Sequence, residues 1–328
     1  MFFDIVDSEG KVLARNFDSS KEDVAFGRST SFDKEGLKFV IYSTRPDFKK
    51  SNSLFKRCSG AVGEVFLSAH NFFTEQLVSM GHTLTSLQIQ AKQKIEGIID
   101  KDTIIRTEDY SDLKNHVVSL VRNDPEEAAE TLIYLEKRIF EIGAHLKGFE
   151  LIHQGKRLRL DARPQNVRSV LFNVAHAFFD DFEDNSIKVV VNHIDLSFAE
   201  SHKISFDYST MNVALYNFYL NATKYCLPGS AIYHDFTVDE VEGSFNLCIK
   251  MRSLRIEKNE LQTIFDYGTR GISAKNIEGS GVGLFVMKKA LELNNMEVRV
   301  EPDYSKSEKN RGDQYIQNTF IISGEYSV

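Results

Sequence analysis

The sequence predicts an α+β protein in three parts: a small β-rich module over residues 1–65, a helical hairpin over 66–155, and a C-terminal α/β sandwich over 156–328. Three observations predict this fold class. Short apolar runs separated by turn residues open the chain, two long segments with a heptad-like apolar repeat follow, and mixed strand and helix signals close it. At 328 residues the chain has room for two or three domains.

The composition is that of a soluble globular protein, with 42% apolar and 27% charged residues. The formal charge of −7 argues against a nucleic-acid partner, because binding phosphate backbones requires clustered Lys and Arg. No apolar run approaches the roughly 18 residues of a membrane span, and the start MFFDIVDSEG has no signal-peptide pattern. We therefore expect a cytoplasmic protein without a membrane span. Cys58, Cys226 and Cys248 have neither disulfide-framework nor zinc-site spacing, and they are interpreted as buried small hydrophobes.

The N-terminal module contains three predicted strands, in FFDIV, KVLARNF and LKFVIYS, with a turn at Asp7 to Gly10. Nothing in this module resembles a metal or catalytic site.

The predicted hairpin consists of two long helices, each with a narrow apolar seam. The second helix has a clear start, with Asp124 as N-cap, Pro125 in the first turn and Glu127 three residues after the cap, and Gly155 is a plausible stop. Between the helices, residues 100–123 include a short helical candidate, SDLKNHVVSLVRN. The first seam is Phe73, Leu77, Met80, Leu84, Leu87, Ala91, Ile95 and Ile98, and the second is Ala128, Leu132, Leu135, Ile139, Ile142, Leu146 and Phe149.

A hairpin of two helices covers such seams only in part. A homodimer that forms a four-helix bundle is the expected way to bury the remainder.

In the C-terminal part, helices are predicted at about 164–182, 210–226, 258–266 and 282–294. Strands are predicted in IKVVVN, AIYHDFTV, SFNLCIKM, MEVRVEP and YIQNTFII. This proportion favours a mixed sheet covered on one face by helices.

The stretch IEGSGVGLFVMKKALELNN places Gly279, Gly281 and Gly283 directly before a helix. Glycine is a costly choice at a helix start, so capping alone does not explain three of them. A close approach to the backbone explains them better, because free N–H groups at the positive end of a helix dipole bind anions. The spacing differs from the dinucleotide-binding fingerprint, and no strand directly precedes it.

A second stretch, LYNFYLNATKYCLPGS, carries two asparagines on one helical face. Asn217 and Asn221 are four residues apart, Lys224 follows one turn later, and Tyr225 is beside it. A carboxamide oxygen is a suitable ligand for Mg²⁺, and a lysine one turn away can reach phosphates that the metal bridges. Taken alone, the stretch is better explained by two solvated asparagines.

A third stretch, ELQTIFDYGTRG, completes a set. Together the three resemble the histidine-kinase branch of the ATPase superfamily that also contains gyrase, a heat-shock chaperone and the mismatch-repair ATPases. NFYLNATKY resembles the N box, IFDYGTRG the F box and following lid, and GSGVGL the second glycine box, in the family's order over about residues 160–325.

The resemblance implies an ATP site with Mg²⁺ held by Asn221, Lys224 on phosphate, Tyr225 beside the nucleotide and Arg270 in the lid. It also implies that the backbone at Gly279, Gly281, Gly283 and Leu284 surrounds the triphosphate. Hydrolysing members carry a glutamate at the position of Asn217. An amide does not act as a general base at neutral pH, so kinase-like use or binding alone is favoured over hydrolysis.

The resemblance extends to the hairpin as a dimerisation and phosphoacceptor domain. His82 lies two residues after Met80, about 200° round the helix, and is therefore expected to face away from the bundle core. It is the predicted phosphoacceptor, with a response regulator as the next partner. An exposed histidine is also expected by chance among nine, and His116 is a second, poorer candidate.

Three positions depart from the family pattern. Met251 occupies the slot of the carboxylate that accepts a hydrogen bond from the adenine amine, Arg255 replaces a flexible glycine, and Thr83 follows His82 where an acidic residue is usual. These departures favour an alternative, a pseudokinase or nucleotide-sensing dimeric scaffold without phosphotransfer. An ATP hydrolase is the third interpretation.

Overall fold

The computed structural model describes residues 2–6, 12–15, 28–34, 37–43, 45, 47, 50–99, 109–154, 157–191, 194–277 and 279–326. The chain forms two compact units, Met1–His82 and Thr83–Val328. The boundary falls inside the longest helix, α1 (Asn52–Ile98). None of the helices in these ranges combines the length and apolar content that a membrane span requires.

The N-terminal unit contains an antiparallel sheet in the order β2-β1-β4-β3. Its strands are β1 (Phe2–Val6), β2 (Val12–Arg15), β3 (Arg28–Lys34) and β4 (Leu37–Ser43). Helix α1 begins at Asn52, not near residue 66, and its first half packs on this sheet. A Cβ added at Gly63 would lie 2.8 Å from the ring of Phe32, so the helix approaches the sheet closely there.

Strands β1, β2 and β4 were predicted, whereas β3 was not, because its sequence RSTSFDK has only one large apolar residue. The predicted turn at residues 7–10 lies outside the described residues.

Two further helices follow, α2 (Tyr110–Asn123) and α3 (Pro125–Gln154). Asp124 caps α3 as predicted, since its Oδ1 accepts a hydrogen bond from the Glu127 N–H at 3.0 Å. The end of α1 runs antiparallel to the start of α3: Lys94 Nζ lies 2.8 Å from Glu127 Oε1, and the Tyr134 hydroxyl lies 3.4 Å from Gln90 Oε1. This confirms the helical hairpin; the predicted stop at Gly155 lies outside the described residues.

Helix α3 has two opposite faces with different environments. Part of the predicted seam remains open: Leu132, Ile139 and Leu146, here called the outer stripe, are 68%, 70% and 48% exposed. The opposite face is buried against the C-terminal sheet domain. This inner stripe consists of Lys137, Glu141, Ala144, Gly148 and Leu151. Part of the sequence seam therefore lies on a face that the single chain leaves open.

The C-terminal domain is built on a five-stranded sheet in the order β10-β11-β9-β8-β6, in which only the β6–β8 pair is parallel. Strands β5 and β7 form a separate antiparallel pair. The strands are β5 (Ala162–Gln165), β6 (Lys188–Val190), β7 (Ile204–Asp207), β8 (Ala231–Asp239), β9 (Ser244–Leu254), β10 (Met296–Asn310) and β11 (Asp313–Glu325).

The domain's helices are α4 (Val167–His176), α5 (Phe179–Asp184), α6 (Leu196–Ser201), α7 (Tyr208–Tyr225) and α8 (Gly283–Leu293). Helices α4, α7 and α8 pack with one face of the sheet into a single core. The opposite face carries polar side chains such as the Lys250–Asp235 ion pair. This arrangement confirms the predicted α/β sandwich.

Two predicted helices differ in the structure. Pro164 lies in strand β5, and α4 begins only at Val167, because the Asn166 side chain caps it by accepting a hydrogen bond from the Ser169 N–H. Residues 258–265 form hydrogen-bonded turns instead of an α-helix.

A buried polar network fixes helix α7 against helix α8. Asn294, after the end of α8, accepts a hydrogen bond from the Asp207 N–H at 2.7 Å and donates to the Thr210 hydroxyl at 2.7 Å. Asp207 in turn caps α7 by accepting from the Thr210 N–H. The start of α7 therefore lies at the end of α8, and the two helices are antiparallel. It follows that the glycine loop before α8 lies near the end of α7.

His234 on β8 is fully buried in the same core. Its Nδ1 contacts the Val190 carbonyl at 3.2 Å, so this nitrogen carries the proton, and Nε2 accepts from the Tyr219 hydroxyl at 2.8 Å. Burial lowers the pKa of His234 from its ordinary 6.5 to about 4, although the Val190 hydrogen bond partly offsets the shift. In the neutral form of the imidazole, both ring nitrogens therefore make hydrogen bonds.

This histidine predicts a pH dependence of stability. Because the folded pKa lies below the unfolded one, the stabilisation is complete above pH 6.5 and is lost as the pH falls towards 4. We expect a loss of about 3 kcal/mol in unfolding free energy over this interval, measurable by urea unfolding at several pH values. His234→Gln should flatten this slope, whereas His116→Gln, at an exposed position, should retain it. An unchanged slope in His234→Gln would contradict the assignment.

Candidate functional site

Helix α7 presents two asparagines towards the start of α8. Asn217 Nδ2 donates to the Val213 carbonyl at 2.8 Å, which fixes the orientation of the amide. Asn221 lies one turn further along, and both side chains are half-buried. The i, i+4 spacing thus places two carboxamides on one face, as the sequence predicts.

Gly283 lies directly against these two side chains. A Cβ added there would be 3.2 Å from Asn221 Nδ2 and 3.4 Å from Asn217 Oδ1. Such contacts are tighter than most side chains tolerate, so the position favours glycine. The structure therefore brings Asn217, Asn221 and the first residue of α8 to one place.

Gly281 is constrained more strongly. Its φ of +71° lies in the left-handed region, and an added Cβ would lie 2.6 Å from the Thr269 carbonyl oxygen and 2.7 Å from the Gly268 carbonyl carbon. The glycine loop and the F-box segment therefore pack backbone against backbone. The two motifs form one structure, not two separate loops.

Tyr225 and Gly279 meet at the end of α7. A Cβ added at Gly279 would lie 3.4 Å from the Tyr225 hydroxyl. Burial raises the pKa of Tyr225, and the positive charge of Arg270 partly offsets this rise, which places the Arg270 side chain nearby. Lys224 is exposed in the last turn of α7. Within the described ranges no acidic side chain forms an ion pair with it, so its charge is available to a ligand.

Helix α8 begins without a side-chain cap and has no acidic residue in its first turn. The first N–H groups of an α-helix have no partner inside the helix and lie at the positive end of its dipole. Leu284, in this turn, is half-buried and packs on the core, so its contribution to a ligand would come from the backbone. The geometry at this end of α8 is suited to an anion.

The lid segment is held by its own side chains. Arg270 Nη2 donates to the carbonyls of Ala274 at 2.9 Å and Lys275 at 3.2 Å, and also to that of Ile277. The buried carboxylate of Glu260 accepts from the Glu257 N–H at 2.8 Å and the Ile272 N–H at 2.5 Å. The Arg270 guanidinium thus organises the segment from residue 270 to 277.

Two of the unusual residues have structural roles. Arg255 donates to the Glu257 carboxylate at 2.8 Å and stacks over the Tyr304 ring, while its carbonyl accepts from the Ser273 hydroxyl at 2.9 Å. This residue anchors the segment where the family has a flexible glycine. Met251 is 3% exposed and belongs to the core, so its slot holds apolar packing where the family has a carboxylate.

The predicted phosphoacceptor lies on a different element. His82 is exposed on α1, in agreement with the seam argument, and is the last residue of the N-terminal unit. His116 is exposed on α2. Of the predicted residues, those from α7 and the glycine loop are thus assembled within the C-terminal unit.

Sequence reasoning missed the contact behind this site, where the inner stripe of α3 packs on α7 and α8. A Cβ added at Gly148 would lie 3.5 Å from Val286 Cγ1 and 3.9 Å from Val213 Cγ1. Lys137 Nζ, almost fully buried, lies 2.7 Å from Asp181 Oδ2. Because Lys137 and Glu141 interrupt the inner stripe, its sequence shows no apolar periodicity that would predict a buried face.

Burial raises the pKa of Glu141, an effect that the neighbouring Arg138 opposes, and burial also lowers the pKa of His145. The contact therefore places ionisable groups in a desolvated interface.

The site fits a polyphosphate better than a bare metal. In the described ranges no three His, Cys, Asp or Glu side chains cluster as they would to hold a metal ion. The Asn221 carboxamide could supply one hard oxygen ligand, which would suit Mg²⁺ if phosphates completed its coordination. The uncapped start of α8 and the charge of Lys224 are both suited to the phosphates themselves.

No protein-family model matches the sequence, and no curated protein matches it. Solved structures of histidine kinases are similar. A mycobacterial sensor histidine kinase, MprB, is 18% identical, and the match covers 51% of this chain and 99% of that one at a TM-score of 0.38. The Acinetobacter baumannii histidine kinase AdeS is 15% identical, and the match covers 75% of this chain and 98% of that one at a TM-score of 0.36. ShkA in complex with AMPPNP is 13% identical, and the match covers 77% of this chain and 46% of that one at a TM-score of 0.41. At these identities and TM-scores the similarities assign no activity to this chain.

Proposed function

We propose that this chain is a histidine-kinase-like signalling protein that binds ATP·Mg²⁺ and phosphorylates its own His82. The observation that carries the proposal is the convergence of three separate motifs on one site. Asn217 and Asn221 contact Gly283, and Gly281 contacts the F-box residues Gly268 and Thr269. Each motif alone is weak evidence. In an unrelated fold, the three motifs would not be expected to lie next to one another.

In this proposal the triphosphate lies over the start of α8. The backbone of the glycine loop and the Lys224 ammonium group neutralise its charge, and Asn221 holds Mg²⁺. When bound, Mg²⁺ would be held on the protein side by Asn221 and would supply neutralisation of the charge that develops during transfer. Tyr225 would lie beside the nucleotide, and the segment organised by Arg270 would cover it.

The reaction transfers the γ-phosphoryl group to an imidazole nitrogen of His82. The bond between the γ-phosphorus and the β,γ-bridging oxygen breaks, a P–N bond forms, the ring loses its proton and ADP leaves. A response-regulator aspartate would then take the phosphoryl group, with the P–N bond replaced by a P–O bond. The γ-phosphoryl acceptor is not water, in agreement with an amide at position 217, which cannot deprotonate a water molecule.

The protein is proposed to act as a homodimer. The outer stripe of Leu132, Ile139 and Leu146 repeats every seven residues and is largely exposed in the monomer. Two such hairpins would bury their stripes in a four-helix bundle.

A nucleotide-sensing scaffold is the second candidate. It is favoured by Met251, whose apolar side chain lies in the core where the family has a carboxylate, and by Arg255, which is fixed by Glu257 and Tyr304. Such a protein would bind ATP and change conformation without forming a phosphohistidine.

One experiment separates these functions. Incubated with γ-labelled ATP and Mg²⁺, the full chain should acquire an acid-labile, alkali-stable label that His82→Ala reduces to background. His116→Ala should retain it. Label that persists in His82→Ala would contradict the assignment of His82. Calorimetric binding of ATP·Mg²⁺ without any label would favour the scaffold, and no binding at millimolar ATP would exclude both.

A further inference from the structure

Strand β10 contains a bulge that carries Tyr304 out of the regular pairing with β11. The paired residues of β10 pass from Asp303 directly to Ser307, so the residues between them are extra. Asp303 Oδ1 accepts hydrogen bonds from the Ser305 N–H at 2.9 Å and from the Ser305 hydroxyl at 2.6 Å. These bonds fold the extra residues into a turn, so the bulge has a fixed shape.

Tyr304 makes three contacts with the residues that follow β9. Its hydroxyl donates to the Ile256 carbonyl at 2.9 Å. The Arg255 guanidinium lies 5.1 Å and the Lys258 ammonium group 5.5 Å from the centroid of its ring. A cation over the face of an aromatic ring is attracted to the negative charge of that face. One half-buried side chain thus fixes the start of the segment between β9 and α8.

The start of this segment is hydrogen-bonded in turn to the residues just after the F box. The Arg255 carbonyl accepts from the Ser273 hydroxyl at 2.9 Å. The buried carboxylate of Glu260 accepts from the Glu257 N–H at 2.8 Å and from the Ile272 N–H at 2.5 Å. Two separate links therefore hold the second half of the segment on the first half.

These links continue the contacts of Tyr304 as far as residues 270–277, the stretch that Arg270 organises. All of the contacts in this series are between groups of the protein itself. Ordering a loop costs conformational entropy, and a ligand binds more weakly when binding must supply that ordering. A stretch held in this way is ordered before a ligand arrives.

We propose that Tyr304 holds residues 270–277 in place before the nucleotide binds. It is a positioning residue, since it acts through Arg255 and the residues after it, and it lies outside the three motifs. The inference rests on the proposed nucleotide site, because the same stretch would cover the nucleotide there.

Hydrogen exchange followed by mass spectrometry on the full chain tests this role. In the wild-type protein without nucleotide, the amides of residues 270–277 should exchange slowly, and saturating ATP·Mg²⁺ should slow them little further. In Tyr304→Leu they should exchange at least about tenfold faster without nucleotide, and saturating ATP·Mg²⁺ should restore the wild-type rate. We expect the stretch to be ordered about a third of the time in this variant, which would lower the affinity for ATP·Mg²⁺ about threefold in calorimetry.

Two variants control this experiment. Tyr304→Phe keeps the ring under the two cations and loses only the hydroxyl, so its exchange rate should lie between those of the wild type and Tyr304→Leu. Arg252→Ala breaks an exposed ion pair with Glu308, 2.9 Å long, that joins β9 to β10 beyond the bulge. It should change neither the exchange of residues 270–277 nor the affinity.

Unchanged exchange in Tyr304→Leu would overturn the proposal, and so would equal acceleration throughout the β10–β11 hairpin, which would mean general destabilisation. If Tyr304→Leu does not fold, Tyr304→Phe and the wild-type comparison still decide. Wild-type amides at 270–277 that exchange fast until ATP·Mg²⁺ is added would overturn the role of Tyr304 and leave the nucleotide site standing. Slow wild-type exchange without any binding of ATP·Mg²⁺ would overturn the nucleotide site, and with it the role of Tyr304 in binding.

Discussion

Gly281→Ala should abolish measurable binding of ATP·Mg²⁺. Two costs combine at this position: the left-handed φ of +71° disfavours any side chain, and the new Cβ would lie 2.6 Å from a backbone oxygen of Thr269. The two atoms nearest the new Cβ, the Thr269 carbonyl oxygen and the Gly268 carbonyl carbon, both belong to the backbone. No side-chain rotation therefore relieves the clash, and the glycine loop must separate from the F-box segment. We expect an affinity loss of at least about a hundredfold, equivalent to about 3 kcal/mol.

Calorimetry with a non-hydrolysable ATP analogue measures this loss. Gly312→Ala is the matched control: Gly312 also has a positive φ, +97°, but an added Cβ there meets no atom within 4 Å. It should destabilise its turn by about 1–3 kcal/mol and leave nucleotide affinity unchanged. Retained affinity in Gly281→Ala, with the protein folded, would show that the glycine loop does not bind the phosphates.

Ile139→Glu should convert the proposed dimer into a monomer. Ile139 is the central residue of the outer stripe and is 70% exposed in the single chain. In a four-helix bundle it would face its counterparts across an apolar seam, where two buried carboxylates would lack partners. In the monomer the same change is at the surface and should alter the unfolding free energy by no more than about 0.5 kcal/mol.

Sedimentation velocity over a range of protein concentrations measures the effect, and we expect the dimer dissociation constant to rise by at least about a hundredfold. Val121→Glu, an exposed apolar position on α2, is the control and should leave the dimer intact. A wild-type protein that is monomeric at all concentrations, or an Ile139→Glu variant that stays dimeric, would contradict a bundle built on the outer stripe.

The elements that the sequence predicts well are those with a single dominant signal. Helices α7 and α8 and the four longest strands of the C-terminal sheet follow from apolar periodicity, and the cap at Asp124 follows from side-chain chemistry. Strand β3 was not predicted because its residues are mostly polar. Pro164 was interpreted as a helix start, but Asn166 provides the cap two residues later.

The site was predictable where local spacing determines it and not where distant strands do. Asn217 and Asn221 share a helix face by spacing alone, and Gly283 lies against both side chains. The pairing of Met251 with Asn318 carries no such signal, because only strand register brings these two residues together. The inner stripe of α3 was hidden for a different reason, since Lys137 and Glu141 interrupt its apolar pattern.

The fit of α3 at Gly148 has a mechanical consequence. At Gly148 the backbone of α3 lies close to the side chains of Val213 on α7 and Val286 on α8 at once, so only these two short side chains separate the three helices there. A change in the distance between α7 and α8 should therefore also displace α3. By linkage, the coupling free energy is the same in the other direction, so a displacement of α3 should change the distance between α7 and α8.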